Sequence, residues 1–511
     1  MRLGNFQAQK RNSMMVHKPR VVIAALRGGS GKTVISLGLA AAWRIRHNLR
    51  VVPFKKGPDY IDAGWLASAA QHPCYNLDPF LMKPDDLLLT FVRHAGRGDV
   101  ALIEGNRGLY DGVDVHGSYS TAELAKLFDA PVILVVDATK VTRTAAALVL
   151  GCQQLDPTVK IAAVILNQVG GKRHEKIMRG AIEQYCGVPV LGVVGKESRI
   201  VFPERHMGLV PPQESANADQ AMRSAADEIS RCVDLNAILQ IAESAGPLAW
   251  PAFKAQPAIE ARGGERVRIG IVRDAAFQFY YPENIEALEE KGAVVQEISS
   301  FDGRPLPPLD ALYIGGGFPE THLEVLSGNR VFRESLRREI EAGLPVYAEC
   351  GGLMFLCQSI LHGGREYPMT GVFPYEVVLE AKPQGHGYTI LECVEDNPFF
   401  EKGVRFRGHE FHYSRILGCD SSHPFIFRLQ KGHGILAGWD GMCYKNALAS
   451  YSHIHAVGND FWAESIVKAA MKYRRERVEE ALGHTGVRSE RCHESLFINQ
   501  ILEGGSVHGT N

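Results

Sequence analysis

The sequence predicts an α/β protein of two doubly wound domains, and three observations predict it. Short β-branched runs alternate with longer helical patterns through the first half, the pattern of a parallel sheet covered by helices. That alternation breaks at 245–265, where Gly246-Pro247, Trp250-Pro251, Gln256-Pro257 and Gly263-Gly264 interrupt any regular period. A second α/β alternation follows the break. The length of 511 residues agrees, since roughly 100–200 residues per domain gives two to four units.

Taken in order, residues 1–19 carry a basic stretch and read as a flexible tail. The first domain, 20–244, has strand candidates at 21–26, 51–54, 100–104, 132–137, 161–167 and 190–194, with helices at 33–46 and 142–154. A polar helical segment covers 216–244. Residues 245–265 read as a linker. The second domain, 266–482, has strand candidates at 267–272, 311–314, 345–348, 406–413, 435–439 and 448–451, then a helix from 456 to 482. Residues 483–511 are polar and read as a mobile tail. No internal repeat is present.

Composition narrows the function classes. Hydrophobic residues make up 45% and charged residues 22%, as in a globular protein. A formal net charge of −1 gives no electrostatic case for nucleic acid or anionic membranes as partners. No segment approaches the roughly 18 consecutive apolar residues of a membrane-spanning helix. The ten cysteines are scattered and none forms a CxxC pair, so neither a disulfide scaffold nor a cysteine zinc site has support. A reducing cytoplasm fits best.

The first chemical motif is Arg27-Gly28-Gly29-Ser30-Gly31-Lys32-Thr33, placed directly after an apolar strand and before a helix. Its glycines let backbone amides approach phosphate oxygens. Lys32 supplies a point charge to the β/γ-phosphates, and Thr33 a hydroxyl ligand for Mg2+. Leu26 stands where the common phosphate loop has glycine, so the match is to a variant with a basic residue, Arg27, before two glycines. Two further segments follow the next strands: Lys55-Lys56-Gly57-Pro58-Asp59-Tyr60-Ile61-Asp62, and 104–112 beginning Glu104-Gly105-Asn106-Arg107. Residues just past strand C-termini gather on the ligand edge of a parallel sheet. Asp59 and Glu104 can therefore join Thr33 around Mg2+ bound with ATP, and Lys55 can offset charge on a transferring phosphoryl group. Asn167 ends another strand, where it either reads the adenine edge or caps buried backbone.

The second motif is a nucleophile turn. Cys350 sits where an apolar strand meets Gly351-Gly352 and an apolar helix, a geometry that exposes the side chain at the sheet edge. The positive end of that helix is expected to lower the thiol pKa. Gly316 and Gly317, ending another strand, can supply backbone amides to an oxyanion. The base should be a histidine at a further strand end. His453 and His455 are the leading candidates, and parity along the strand does not choose between them. His409 and His412 compete.

In this order the motifs resemble those of the cobyrinate a,c-diamide synthase family, glutamine-dependent ligases of corrinoid biosynthesis. The resemblance runs from about Val21 to His455 and rests on the variant phosphate loop, the 55–62 and 104–112 segments, Gly-Gly-Gly-Phe-Pro-Glu at 315–320, Ala-Glu-Cys-Gly-Gly at 348–352 and Gly-His-Glu-Phe-His-Tyr-Ser at 408–414. It implies a synthetase domain similar to dethiobiotin synthetase and a C-terminal class I glutamine amidotransferase domain. It favours His453 as the partner of Cys350 and implies that Asp59, Tyr60, Glu104 and Asp111 line the carboxylate-activating site. The expected reaction is ATP-dependent amidation of the a and c acetates of cobyrinate or hydrogenobyrinate through an acyl phosphate. Its implied partners are glutamine, ATP and a corrinoid tetrapyrrole, with a homodimer allowed.

Two departures stand out. In the wider amidotransferase class a glutamate stands two residues after the histidine, whereas here that place is His455, so no third member is named. Asn106-Arg107 replaces residues that are often apolar in the family. Alternative acceptors are sirohaem or Ni-sirohydrochlorin, and a non-ligase, partitioning-type ATPase is the distant third reading.

Overall fold

The β-branched runs of the first half assemble into one seven-stranded parallel sheet. Its order is Tyr75–Leu77, Val51–Lys56, Val100–Glu104, Arg20–Ala25, Val132–Asp137, Ile161–Val169 and Val190–Gly195. The three innermost strands are buried throughout or nearly so, as expected for a sheet covered on both faces. In the computed structural model, residues 14–198, 202, 204–205, 208–215, 217–250, 266–420 and 424–484 are described. The helices Lys32–His47 and Thr144–Leu155 match expectation within two residues. The expected helical segment 216–244 is instead two helices, Ala218–Cys232 and Leu235–Glu243. Asp234 restarts the second by accepting a hydrogen bond from Ala237 N at 2.9 Å.

The second half is built on a six-stranded sheet ordered Ala293–Ile298, Val267–Val272, Ala311–Ile314, Val346–Glu349, Ala447–Ser450 and Met442–Tyr444, parallel except at the last strand. A mixed sheet and an antiparallel sheet accompany it. One contains Cys357–His362, Arg365–Pro368, Phe373–Leu379 and Ser414–Leu417. The other runs Trp439–Asp440, Phe427–Lys431, Gly385–Cys393, Arg405–His412 and His453–Ile454. Most of these strands have no counterpart among the sequence expectations. Gly385–Cys393 shows why: only every second or third side chain is buried, so no apolar run marks it. The expected strand at 435–439 reduces to Trp439–Asp440, because 434–439 folds back on itself in a tight turn.

Two expectations about the chain's margins change. Met14–Val16, inside the expected flexible tail, is a strand, and it pairs antiparallel with Leu248–Trp250, inside the expected linker. A pairing between segments so far apart in sequence leaves no local signal. Residues 1–13 and 251–265 lie outside the described residues, as does the expected C-terminal tail beyond the helix Phe461–His484. The nine described cysteines are all free, and no described helix is long and apolar enough to cross a membrane.

The halves meet along a polar and aromatic seam. Asn76 N donates to Glu283 Oε1 at 3.0 Å, Arg97 Nη1 donates to Glu286 Oε1 at 2.8 Å, and Tyr388 Oη donates to Asp78 Oδ2 at 2.8 Å. Phe80 stacks on Tyr388 with centroids 4.2 Å apart. Tyr60 crosses from the first half to stack on Phe279 at 5.1 Å and tilt against Tyr281 at 4.6 Å.

Candidate active site

The phosphate loop has the backbone its composition dictates. Gly31 adopts φ 87°, the left-handed region, and a Cβ there would lie 2.1 Å from Asn167 Nδ2. Glycine is required on both counts. Asn167 Nδ2 donates to Ser30 O at 3.0 Å and so braces the loop. Ser30 Oγ donates to Arg27 O at 3.0 Å, and Arg27 pairs with Asp137 at 2.8 Å. Lys32 opens the following helix and is nearly buried. Burial lowers its pKa, partly offset by Glu104.

Beside the loop lies a charged cluster tighter than the sequence suggested. Lys55 Nζ donates to Asp62 Oδ2 at 2.6 Å and Glu104 Oε1 at 2.7 Å, with Asp59 Oδ2 at 3.9 Å. Thr33 Oγ1 donates to Glu104 Oε1 at 2.9 Å and lies 3.4 Å from Asp62 Oδ2. Asp62 therefore stands against Thr33, a position the sequence reading gave to Asp59. Asp59 Oδ1 instead accepts from Asp62 N at 2.9 Å, capping the helix Ile61–Ala70. Asp62 lies in the same motif and is the acid of that helix's first turn, but the sequence does not choose between it and Asp59.

The residues fit Mg2+. Thr33 and Glu104 offer hard oxygens, and Glu104 Oε2 is buried without a hydrogen-bond partner. Among the described residues no three His, Cys, Asp or Glu side chains form a ready-made metal cluster. Mg2+ takes one or two carboxylates and completes its shell from phosphate and water.

The electrostatics follow from burial and crowding. Burial acts against the Lys55 ammonium, but Asp62, Glu104 and Asp59 outweigh it and hold its pKa well above the ordinary value. Burial likewise pushes Asp62 up, yet the adjacent Lys55 wins and the net shift is down. Asp59 is pushed up to about 7, by burial first and by Asp62 second. An acid whose folded pKa exceeds its unfolded one contributes stability at low pH and loses it as pH rises through the folded value. Asp59→Asn is therefore expected to gain stability relative to the parent as pH is raised from about 4 to about 7. Thermal melts across that range in the absence of nucleotide check this, and parallel curves for the two proteins would refute it.

The nucleophile turn lies across the seam. Cys350 takes φ 48° and ψ −98°, a conformation that non-glycine residues adopt only when the surroundings impose it. Its amide donates to Ser450 O at 2.7 Å, and Met354 N returns a bond to its carbonyl at 3.0 Å. The expected lowering of the thiol pKa does not hold. The helix Gly351–Leu356 has only six residues, and burial of the thiol, with Glu320 nearby, raises the pKa well above its ordinary value.

The two predicted oxyanion glycines divide. Gly317 lines the cavity with Cys350, and a Cβ on Gly351 would sit 3.0 Å from Gly317 N. Gly316 instead lies under the His453 ring, where a Cβ would meet Cε1 at 2.4 Å, and its carbonyl accepts from Gln278 N and Phe279 N.

Of the four histidines, His453 and His455 separate clearly. His453 faces the cavity, 2% exposed, whereas His455 is fully buried against Tyr281 at 4.5 Å and does not line it. His409 pairs with His453 across the antiparallel register and stacks on it at 4.9 Å. Burial, with His453 and His455 nearby, lowers the His409 pKa well below its ordinary value. His412 also lines the cavity, but its Nδ1 donates to Ser414 O at 2.9 Å and its ring stacks on Tyr451.

One cavity of about 810 Å3 joins the two sets. The first half contributes Asp59, Tyr60, Asp111, Lys56 and Arg107, and the second Cys350, His453, Gly317 and Lys431. Asp111 Oδ2 accepts from Gly108 N at 2.7 Å, which shapes the turn bearing Arg107. The unusual Asn106-Arg107 pair thus faces the space between the halves. Lys56 and Lys431 were not singled out from the sequence. Lys56 was accessible by strand parity, since Lys55 and Lys56 must point to opposite faces. Lys431 sits on a strand that no apolar run announces.

Family models match both halves. Residues 21–210 match the CobQ/CobB/MinD/ParA nucleotide binding domain, and residues 268–461 match the CobB/CobQ-like glutamine amidotransferase domain. The chain is 42% identical to the cobyrinate a,c-diamide synthase of Magnetococcus marinus, over 88% of this chain and 97% of that one. It is 40% identical to the protein of that name from Methanothermobacter thermautotrophicus, over 89% and 100%, and 39% identical to that from Archaeoglobus fulgidus, over 89% and 98%.

Proposed function

This chain belongs to the cobyrinate a,c-diamide synthase family, and from that premise we propose that it amidates the a and c acetates of cobyrinate or hydrogenobyrinate, using glutamine and ATP. The observation that carries this reading is the shared cavity, which has a nucleophile at one wall and acid-activating residues at another. In the glutamine half, Cys350 Sγ attacks the side-chain amide carbon of glutamine. His453 takes the thiol proton and delivers it to the departing ammonia. Because burial opposes a free thiolate, that transfer belongs to the attack itself. The Gly317 amide stands beside the developing oxyanion, and water then releases glutamate from the thioester.

In the nucleotide half, an acetate oxygen of the macrocycle attacks the γ-phosphorus of ATP, and ADP leaves. Lys32 and Lys55 offset charge on the phosphoryl oxygens as it moves. Mg2+, when bound, offsets the charge of the phosphates, and Thr33 and Glu104 would hold it. Ammonia then attacks the acyl phosphate, phosphate leaves, and the amide forms. A carboxylate alone would not react, since its own charge repels a nucleophile. Lys56, Arg107 and Lys431 suit a macrocycle that carries several carboxylates, and Tyr119 and Tyr388 offer it flat apolar faces.

Mass spectrometry of products, with cobyrinate and sirohaem offered in parallel, tests the acceptor. The expected result is a diamide of cobyrinate, with one ATP and one glutamine consumed per amide. Amidation of sirohaem alone would overturn the corrinoid reading while leaving the ligase chemistry intact.

A further inference from the structure

We infer that Glu349, the residue immediately before the nucleophile, is the positioning acid for His453, an inference that rests on the assignment of Cys350 and His453 above. The place where the wider class carries its acid is His455, and that residue cannot serve. Its ring nitrogens have no hydrogen-bond partner, and its nearest carboxylate is Glu283, at 3.7 Å. Glu349, by contrast, lies with Oε2 3.5 Å from His453 Nδ1. Nδ1 is buried and makes no hydrogen bond, so its unmet polar capacity faces that carboxylate oxygen.

Glu349 is itself fixed. It is fully buried, Oε1 accepts from Ile454 N at 3.0 Å, and Oε2 accepts from Tyr313 Oη at 2.9 Å. The amide it holds belongs to the residue after His453, so acid and histidine backbone are tied into one unit. The rings of His409 and Tyr60 pack against the imidazole at 4.9 and 5.4 Å and limit its rotation.

The chain path explains how adjacent residues reach one histidine. Successive side chains on a strand point to opposite faces, so Glu349 and Cys350 should diverge. The left-handed turn at Cys350 breaks that alternation. In the parallel register Glu349 stands opposite Ser450, three residues before His453. The acid therefore meets the imidazole from the sheet side, while the thiol enters the same cavity past the strand end. A proton on Nδ1, donated to Glu349, leaves Nε2 free to accept the thiol proton, and the acid stabilises the imidazolium that forms.

Glu349→Gln keeps the shape and the acceptor for Ile454 N but removes the charge. Glutamate release is expected to fall by about 10⁴-fold in kcat, the order seen when the orienting acid of a comparable triad is removed. KM for glutamine and ammonia-supported amidation should stay at parent values, and Glu349→Asp should recover part of the loss. In a His453→Ala background the same change should have no further effect. Tyr313→Phe, which releases one anchor of the acid and is independent of whether Glu349→Gln folds, should lower the same kcat by about 10-fold with KM unchanged. The inference is overturned if Glu349→Gln hydrolyses glutamine at the parent rate, if it lowers ammonia-supported amidation equally, or if its effect persists without His453. Should Cys350→Ser itself leave glutamate release intact, the assignment of the pair fails first, a distinct result.

Discussion

Cys350→Ser is expected to lower glutamine-supported amidation by about 10³-fold or more while ammonia-supported amidation continues at the parent rate. The thiol is buried, carried on a strained turn, and shares with His453 the cavity that Asp59 also lines. Lys32, Thr33, Lys55 and Glu104 do not line that cavity, so the nucleotide half should keep its chemistry when ammonia is supplied from solution. Initial rates with glutamine and with ammonium chloride, at one pH and saturating ATP, separate the two routes. Glutamine use that survives the substitution would remove Cys350 from the mechanism.

Lys55→Met is expected to abolish amidation with either nitrogen source and to destabilise the fold by about 3–5 kcal/mol, the scale for removing one partner of a buried ion pair. Lys55 is 1% exposed and is the ammonium shared by Asp62, Glu104 and Asp59. Its folded pKa is raised, so its stabilising contribution is complete at neutral pH and is lost only as pH rises through that high value. In the variant Asp62, Glu104 and Asp59 lose the positive charge that opposes their protonation. The destabilisation should therefore shrink as pH falls and they take up protons. Urea unfolding at neutral and acidic pH measures both effects. A pH-independent loss would mean that Lys55 acts by packing alone. Glutamate release at Cys350 should persist in whatever fraction remains folded.

The phosphate loop and the nucleophile turn were legible because each needs special backbone angles, and special angles demand recognisable residues. Gly31 and Cys350 both adopt positive φ. The acid cluster was only half legible. Asp59 and Asp62 occupy one motif, and composition cannot say which carboxylate turns back to cap the helix and which points at Thr33. The choice among four histidines was legible only through the family resemblance, which favoured His453; residue spacing left it open, because it depends on how the Arg405–His412 strand lies against His453–Ile454, a register set by tertiary packing. The thiol was misjudged for a related reason. A helix end is visible in sequence, but the burial that overrides it comes from tertiary packing within the core of the second half.

The pairing of Met14–Val16 with Leu248–Trp250 brings the entry and exit of the nucleotide half side by side. A unit whose two ends meet has, in topological terms, no obligatory starting point. A short bridge across that pair would let the chain begin instead at an exposed turn elsewhere on the same sheet. The order in which the seven parallel strands are synthesised could then be rearranged without changing which strands are neighbours. The phosphate loop's place at the front of the polypeptide is thus a matter of gene order, whereas its place at the centre of the sheet is a matter of structure.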